Sequence, residues 1–255
     1  MYSYLIYTIA GLAAGIGTGL AGLSAAAIIS PMLITFLGFD PYEAVGIALA
    51  SDVLASAISA YTYGKNKNLD IKNGLVMLLS VLLFTLIGSY IATLVPGSTM
   101  GSFSVFMTFL LGIKFIVKPV MTTKEAREAK SQKEKNIQSL LCGCMIGFIC
   151  GFIGAGGGMM LLLILTSVLQ YELKTAVGTS VFIMTFTAFT GACSHFALGG
   201  LPNIEALIWC IVTTFLGARI AALFANKAEA KTLNRATGVV LAILGIAMII
   251  MKYYG

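Results

Sequence analysis

Charge is what this sequence has least of. Only 10% of its 255 residues are Asp, Glu, Lys or Arg, where a soluble domain carries about a quarter. So few charges cannot cover a water-facing surface, and lipid must be part of the solvent. Histidine and tryptophan occur once each. The five cysteines, Cys142, Cys144, Cys150, Cys193 and Cys210, all lie in apolar runs, and no CxxC pair has a histidine partner. This excludes a zinc site of the usual spacing and leaves them as small membrane residues. No cofactor or metal is expected. Alternating strands separated by hairpin turns are missing too, which argues against a membrane barrel. The opening residues, Met1-Tyr2-Ser3-Tyr4, bear no basic group, and no small-residue cleavage site follows. The first apolar segment is therefore expected to be retained rather than removed as a signal peptide.

What is abundant is apolar sequence, at 58% of residues and a mean hydropathy of +0.96. A spanning helix needs about 20 mostly apolar residues. Runs of that kind cover 3–37, 42–63, 71–94, 99–118, 137–169, 174–198, 203–225 and 235–251. They leave no room for a soluble domain, and the fold class is an all-α, multi-pass membrane protein. The formal charge of +6 sits mostly in loops, where membrane topology accounts for it. No nucleic-acid partner is expected; the lipid bilayer is the partner the composition demands.

The chain repeats itself. At an offset of 132, Gly11, Gly15, Gly19 and Gly22 fall on Gly143, Gly147, Gly151 and Gly154. Ala44-Val45-Gly46 falls on Ala176-Val177-Gly178, Leu33 and Leu37 on Leu165 and Leu169, and Asp40 on Glu172. With small gaps, Gly88 aligns with Gly217 and Gly112 with Gly245. Glycine at four-residue spacing is ordinary helix-contact chemistry; a second motif at the same offset points to duplication. The domains are a first transmembrane repeat, 1–121, a charged cytoplasmic linker, 122–136, and a second repeat, 137–255.

Each repeat opens with a run too long for one crossing. Thirty-five helical residues would extend about 52 Å, against a hydrocarbon core of about 30 Å. The break is expected at Gly22-Leu23-Ser24-Ala25 in the first copy and at Gly154-Ala155-Gly156-Gly157-Gly158 in the second. If both runs turn back as helical hairpins, the 64–73 loop, the linker, Lys174 and the 226–236 loop share one side. Asp40, Glu43 and Glu205 then share the other. That distribution fits the positive-inside rule better than single crossings do. It places both termini outside and gives each half a broken hairpin followed by three transmembrane helices. The second half is then inserted upside down, as in inverted-repeat transporters.

Broken helices inside a membrane free backbone N–H groups, and helix N-termini suit small anions. The candidate substrate cradle is Gly22, Ser24 and Ala25 with Gly156, Gly157 and Gly158. Thr179 and Ser180, after Gly178, add hydroxyls; their alternative role is to bond their own helix backbone. Asp52 lies ten residues into the 42–63 helix, where an ionisable group is costly and is by default a functional candidate. It could carry a coupled proton, or be a structural carboxylate held by Ser51, Ser56 or Ser59. Arg219 could neutralise an anion or pair with Asp52; alternatively it snorkels to the interface, as Lys114 and Lys118 are expected to do. His195 is expected to be interfacial.

The chain resembles the TauE/SafE sulfite-exporter family, also called the toluene-sulfonate uptake permease family. The resemblance rests on Gly147 to Gly158 (GFICGFIGAGGG) and Ala176-Val177-Gly178-Thr179-Ser180. Ser194-His195-Phe196-Ala197-Leu198-Gly199-Gly200 and Phe215-Leu216-Gly217-Ala218-Arg219 complete it. It covers nearly the whole chain. It implies secondary transport of a small anion, such as sulfite or a sulfonate, and no enzymatic activity. The first half departs from the pattern, with Gly22-Leu23-Ser24-Ala25-Ala26 for the glycine run and Gly46-Ile47-Ala48 for Gly-Thr-Ser. An anion channel is the alternative within transport. Ser24 with His195 would suit an intramembrane serine protease only if the two met. A homodimer is compatible with the sequence and not specified by it.

Overall fold

Helix α1 (Tyr2–Ala21) ends where Gly22 turns left-handed, at φ 62°, a conformation that glycine alone adopts without a Cβ penalty. Helix α2 (Ala26–Leu37) then returns beside α1. The ring of Phe39, just past its end, packs edge-on against Tyr7 near the start of α1, with centroids 6.4 Å apart. The run over 3–37 is thus a hairpin with its tip at Leu23–Ala25. Asp40 starts helix α3 (Pro41–Lys65) by accepting from the Tyr42 and Glu43 N–H groups, with proline in the first turn, a standard arrangement for a helix start.

The computed structural model describes residues 1–92, 113, 117, 131–153, 157–199 and 201–254. The segment expected over 99–118 and the linker up to residue 130 fall almost entirely outside these, as does Gly156. The remaining helices are α4 (Ile71–Ala92), α5 (Gln132–Ile153), α6 (Gly157–Ser167), α7 (Leu173–Gly199), α8 (Ile204–Lys227) and α9 (Ala230–Tyr254). Helix α5 starts inside the expected linker. The cause is a capping box, in which Ser131 Oγ accepts from the Glu134 N–H and Glu134 accepts from the Ser131 N–H.

Helices α3 and α7 begin at Pro41 and Leu173, the same 132 positions apart as the glycines. The glycine stripes are packing seams, and each meets a helix distant in sequence. Gly15 lies so close to Thr214 and Ala218 of α8, and Gly147 to Val81 of α4, that a Cβ would collide with backbone. Helices α1 and α8 pack along one such seam, and α5 and α4 along the other.

Among the described residues every regular element is helical. Four helices, α1, α3, α7 and α8, are long and apolar enough to cross a membrane. Large side chains on their outward faces, such as Leu54 and Ile220, are exposed, as lipid contact requires. The two ends differ in charge. At one, Asn68 donates to Asn226 (2.7 Å), Lys174 Nζ to Asn226 O (3.0 Å) and Tyr171 OH to Asp70 (3.0 Å). At the other, the Asn203 N–H donates to Glu43 (2.7 Å) and His195 Nδ1 lies 3.1 Å from Tyr42 O. The loop after α3, Lys174 and the end of α8 therefore share one end, and Asp40, Glu43 and Glu205 lie at the other, as the charge pattern requires.

Candidate functional site

The first hairpin tip is built by short-range bonds. Gly22 and Leu23 N–H groups donate back to Thr18 O and Gly17 O. Thr18 Oγ1, wholly buried, lies 2.7 Å from Leu23 O. These close the end of α1 and leave Ser24 and Ala25 to start α2. No acidic residue lies in the first turn of α2. Asp52, 28 positions away on α3, takes that place. Ser24 Oγ donates to its Oδ2 at 2.8 Å, and the Ala25 N–H is directed at the same carboxylate. Ser56, one turn further along α3, donates to Oδ1 at 2.9 Å. Asp52 is 1% exposed, so a carboxylate sits at a helix N-terminus inside the apolar core.

The second broken segment meets the first. Gly158, in the first turn of α6, is buried against Gly22 O, the Ser24 nitrogen and Met184 Sδ, and a Cβ there would strike all three. Ser180 Oγ donates to Gly22 O at 3.2 Å. Gly22, Ser24, Ala25, Asp52, Gly158 and Ser180 are thus one constellation, with Gly157 adjoining it in sequence.

Two candidates lie elsewhere. Thr179 faces away from the tips, accepting from the Asp70 N–H at 3.2 Å near the basic end. One residue along a helix rotates a side chain by about 100°, so only one of the adjacent hydroxyls can face the tip. Arg219 is exposed, on the face of α8 turned from α1, and does not reach Asp52. Of the hydroxyls named as holders of Asp52, Ser56 does so; Ser51 bonds Ile47 O, and Ser59 Oγ is buried without a partner. His195 lies at the acidic end beside a cavity of about 260 Å³ lined also by Asp40, Tyr42 and Glu43. Ser24 and His195 therefore form no nucleophile–base pair. Met184, beside Gly158, is not legible in sequence, since a methionine in an apolar helix carries no signal of its own.

Interrupted helices meeting in the interior of a multi-pass helical protein define a membrane transporter architecture. The chain belongs to the TauE/SafE family: the family model described as sulfite exporter TauE/SafE matches residues 7–248. Its relatives are named as transporters. It is 25% identical to the probable membrane transporter protein YunE of Bacillus subtilis, across 97% of both chains. It is 22% identical to YdhB of the same bacterium, over 92% of this chain and 96% of that one. It is 24% identical to MJ0441 of Methanocaldococcus jannaschii, over 95% and 94%. Both of these carry the same description.

Proposed function

We propose that the protein is a secondary transporter carrying a small anion, such as sulfite, a sulfonate or a related organic acid, across the cytoplasmic membrane. The observation that carries this reading is the convergence of the α2 and α6 N-terminal turns around Gly22, Ser24 and Gly158. Free N–H groups and the positive ends of helix dipoles favour a negative ligand. Substrate is held by Ser24, Ala25 and Ser180 and by the glycines 156–158, and Asp52 carries a coupled proton.

The two halves work as inverted repeats that rock about this point by alternating access. The pairing of α1 with α8 and of α5 with α4 supports a pseudo-two-fold relation. The basic end faces the cytoplasm, so both termini lie outside. Cysteines at Gly38 and Lys67 in a cysteine-free background should label from opposite faces; labelling from one face would reject the hairpin topology.

The functional test is uptake and binding in proteoliposomes across sulfite, thiosulfate, alkyl sulfonates and carboxylates. Saturable, selective flux of one of these is expected. Flux that never saturates would indicate a channel, and flat responses to all would reject the anion reading.

A further inference from the structure

Asp52 does something a bare coupling site need not do: it occupies the position where an anion would bind. Its carboxylate takes the Ser24 hydroxyl at 2.8 Å and faces the Ala25 N–H. These are the donors that a helix N-terminus offers to a ligand. From the geometry we infer that Asp52 is a tethered stand-in for the substrate, which leaves the α2 donors only when it takes up a proton, so that anion and proton bind together. This rests on the anion-transport reading above and adds the direction of coupling.

The physical reason is the cost of two negative charges in one dry place. An incoming anion that uses Ser24 and Ala25 must displace the carboxylate. Once displaced, an ionised Asp52 would be a buried charge with its strongest donors removed, beside a second anion; both the burial and the repulsion oppose it. Protonation removes both penalties: one carboxylate oxygen gains H⁺ from water on the open side, and the neutral acid can still accept from Ser56. For a monovalent anion the net charge of the occupied site then equals that of the empty one. On the opposite side the anion leaves, the proton returns to water, and the carboxylate reoccupies the Ser24 and Ala25 donors.

Two further observations point the same way. Asp52, Ser56 and Ser59 are buried on one face of α3, at i, i+4 and i+7, and Ser59 Oγ has no partner. A buried hydroxyl without a bond calls for a ligand or water on that face. Nor, among the described residues, does a built-in cation lie beside Asp52 to hold it ionised. Among the described residues, α2 and α6 carry no ionisable group. Those of α1 are Tyr2, Tyr4 and Tyr7, at its far end from the tip. Those of α7 are Lys174 at the basic end and Cys193 and His195 at the acidic end. On α8, Glu205 and Lys227 lie at the two ends, Cys210 is buried and Arg219 is exposed. On α3 itself, Tyr42 and Glu43 lie at the acidic end, Lys65 ends the helix, Tyr61 is exposed and Tyr63 OH donates to Gly19 O.

The test is binding of methanesulfonate, which stays ionised from mildly acid to mildly alkaline pH, and of thiosulfate, to the purified protein in lipid nanodiscs. Affinity should strengthen by about tenfold for each unit that pH falls through the Asp52 titration, then level off. Reciprocally, adding either probe in weak buffer should make the protein take up one proton per anion bound. Asp52→Asn, whose amide mimics the neutral acid in charge, should bind at every pH as tightly as the wild type does at its acid plateau. Should that variant fail to fold, the proton uptake of the wild type decides alone. Affinity that ignores pH or strengthens as pH rises, or proton release on binding, overturns the inference while leaving anion transport intact. Absence of binding by either probe at any pH overturns the inference, and flat uptake across the whole anion panel removes the transport reading as well.

Discussion

Ser24 and Asp52 stand 28 positions apart in the chain and 2.8 Å apart in space. Their bond connects a helix start to a crossing helix, so it couples the position of the tip to the charge of the carboxylate. A hydrogen bond to a charged group contributes about 1.5–3 kcal/mol. If Ser24 serves the substrate in turn, Ser24→Ala should weaken anion binding by at least about tenfold, read by calorimetry on the purified protein. An unchanged dissociation constant would remove Ser24 from the cradle. Ser180 supports the tip from the other side by donating to Gly22 O, so it holds the turn whether or not it also meets the anion. At this scale the residue types were legible in sequence. Which hydroxyl faced which group was not, because neighbouring positions on a helix point in different directions: Thr179 and Ser180 part company for that reason alone.

The elements are organised by glycine. Along α1, Gly11, Gly15 and Gly19 let the backbone sit directly on α8; along α5, Gly143 and Gly147 do the same on α4. Where helices share a lipid solvent, such close approach is what holds them together, since lipid gives little hydrophobic drive. Gly15→Leu would drive a side chain into Thr214 and Ala218 and should collapse the yield of monodisperse protein on size exclusion. Ile16→Leu, at an outward-facing neighbour that is 38% exposed, should leave the elution profile as it is. Equal behaviour of the two variants would contradict the seam. The stripe was readable as a repeat in the sequence. Its partners were not, for a glycine pattern states that something comes close without stating what.

Across the described molecule, segments distant in sequence are bonded together at the basic end. Asn68 donates to Asn226 and Tyr171 to Asp70, while the acidic end retains a cavity of about 260 Å³. The alternating access proposed above requires the Asn68–Asn226 contact, at 2.7 Å, to part in each cycle. Asn68→Cys with Asn226→Cys, in a cysteine-free background, should form a disulfide that stops flux and a reductant should restore it. Full flux in the oxidised protein would mean that this end does not open.

Hydrophobic runs and the scatter of sixteen basic and ten acidic residues were enough to determine a helical membrane protein whose first apolar run is a broken hairpin. These features act locally or through the bilayer: run length is measured against membrane thickness, a left-handed Gly22 ends its helix through its own backbone, and loop charge sorts by side. The family pattern is legible for the same reason, as it consists of short contiguous motifs. Only the tertiary structure decided that Gly158 meets the first hairpin tip, that Asp52 rather than Arg219 reaches it, and that a carboxylate of the chain itself fills the α2 N-terminus. Those are contacts between segments distant in sequence. They depend on how the helices are rotated about their axes, which close packing sets and composition does not encode.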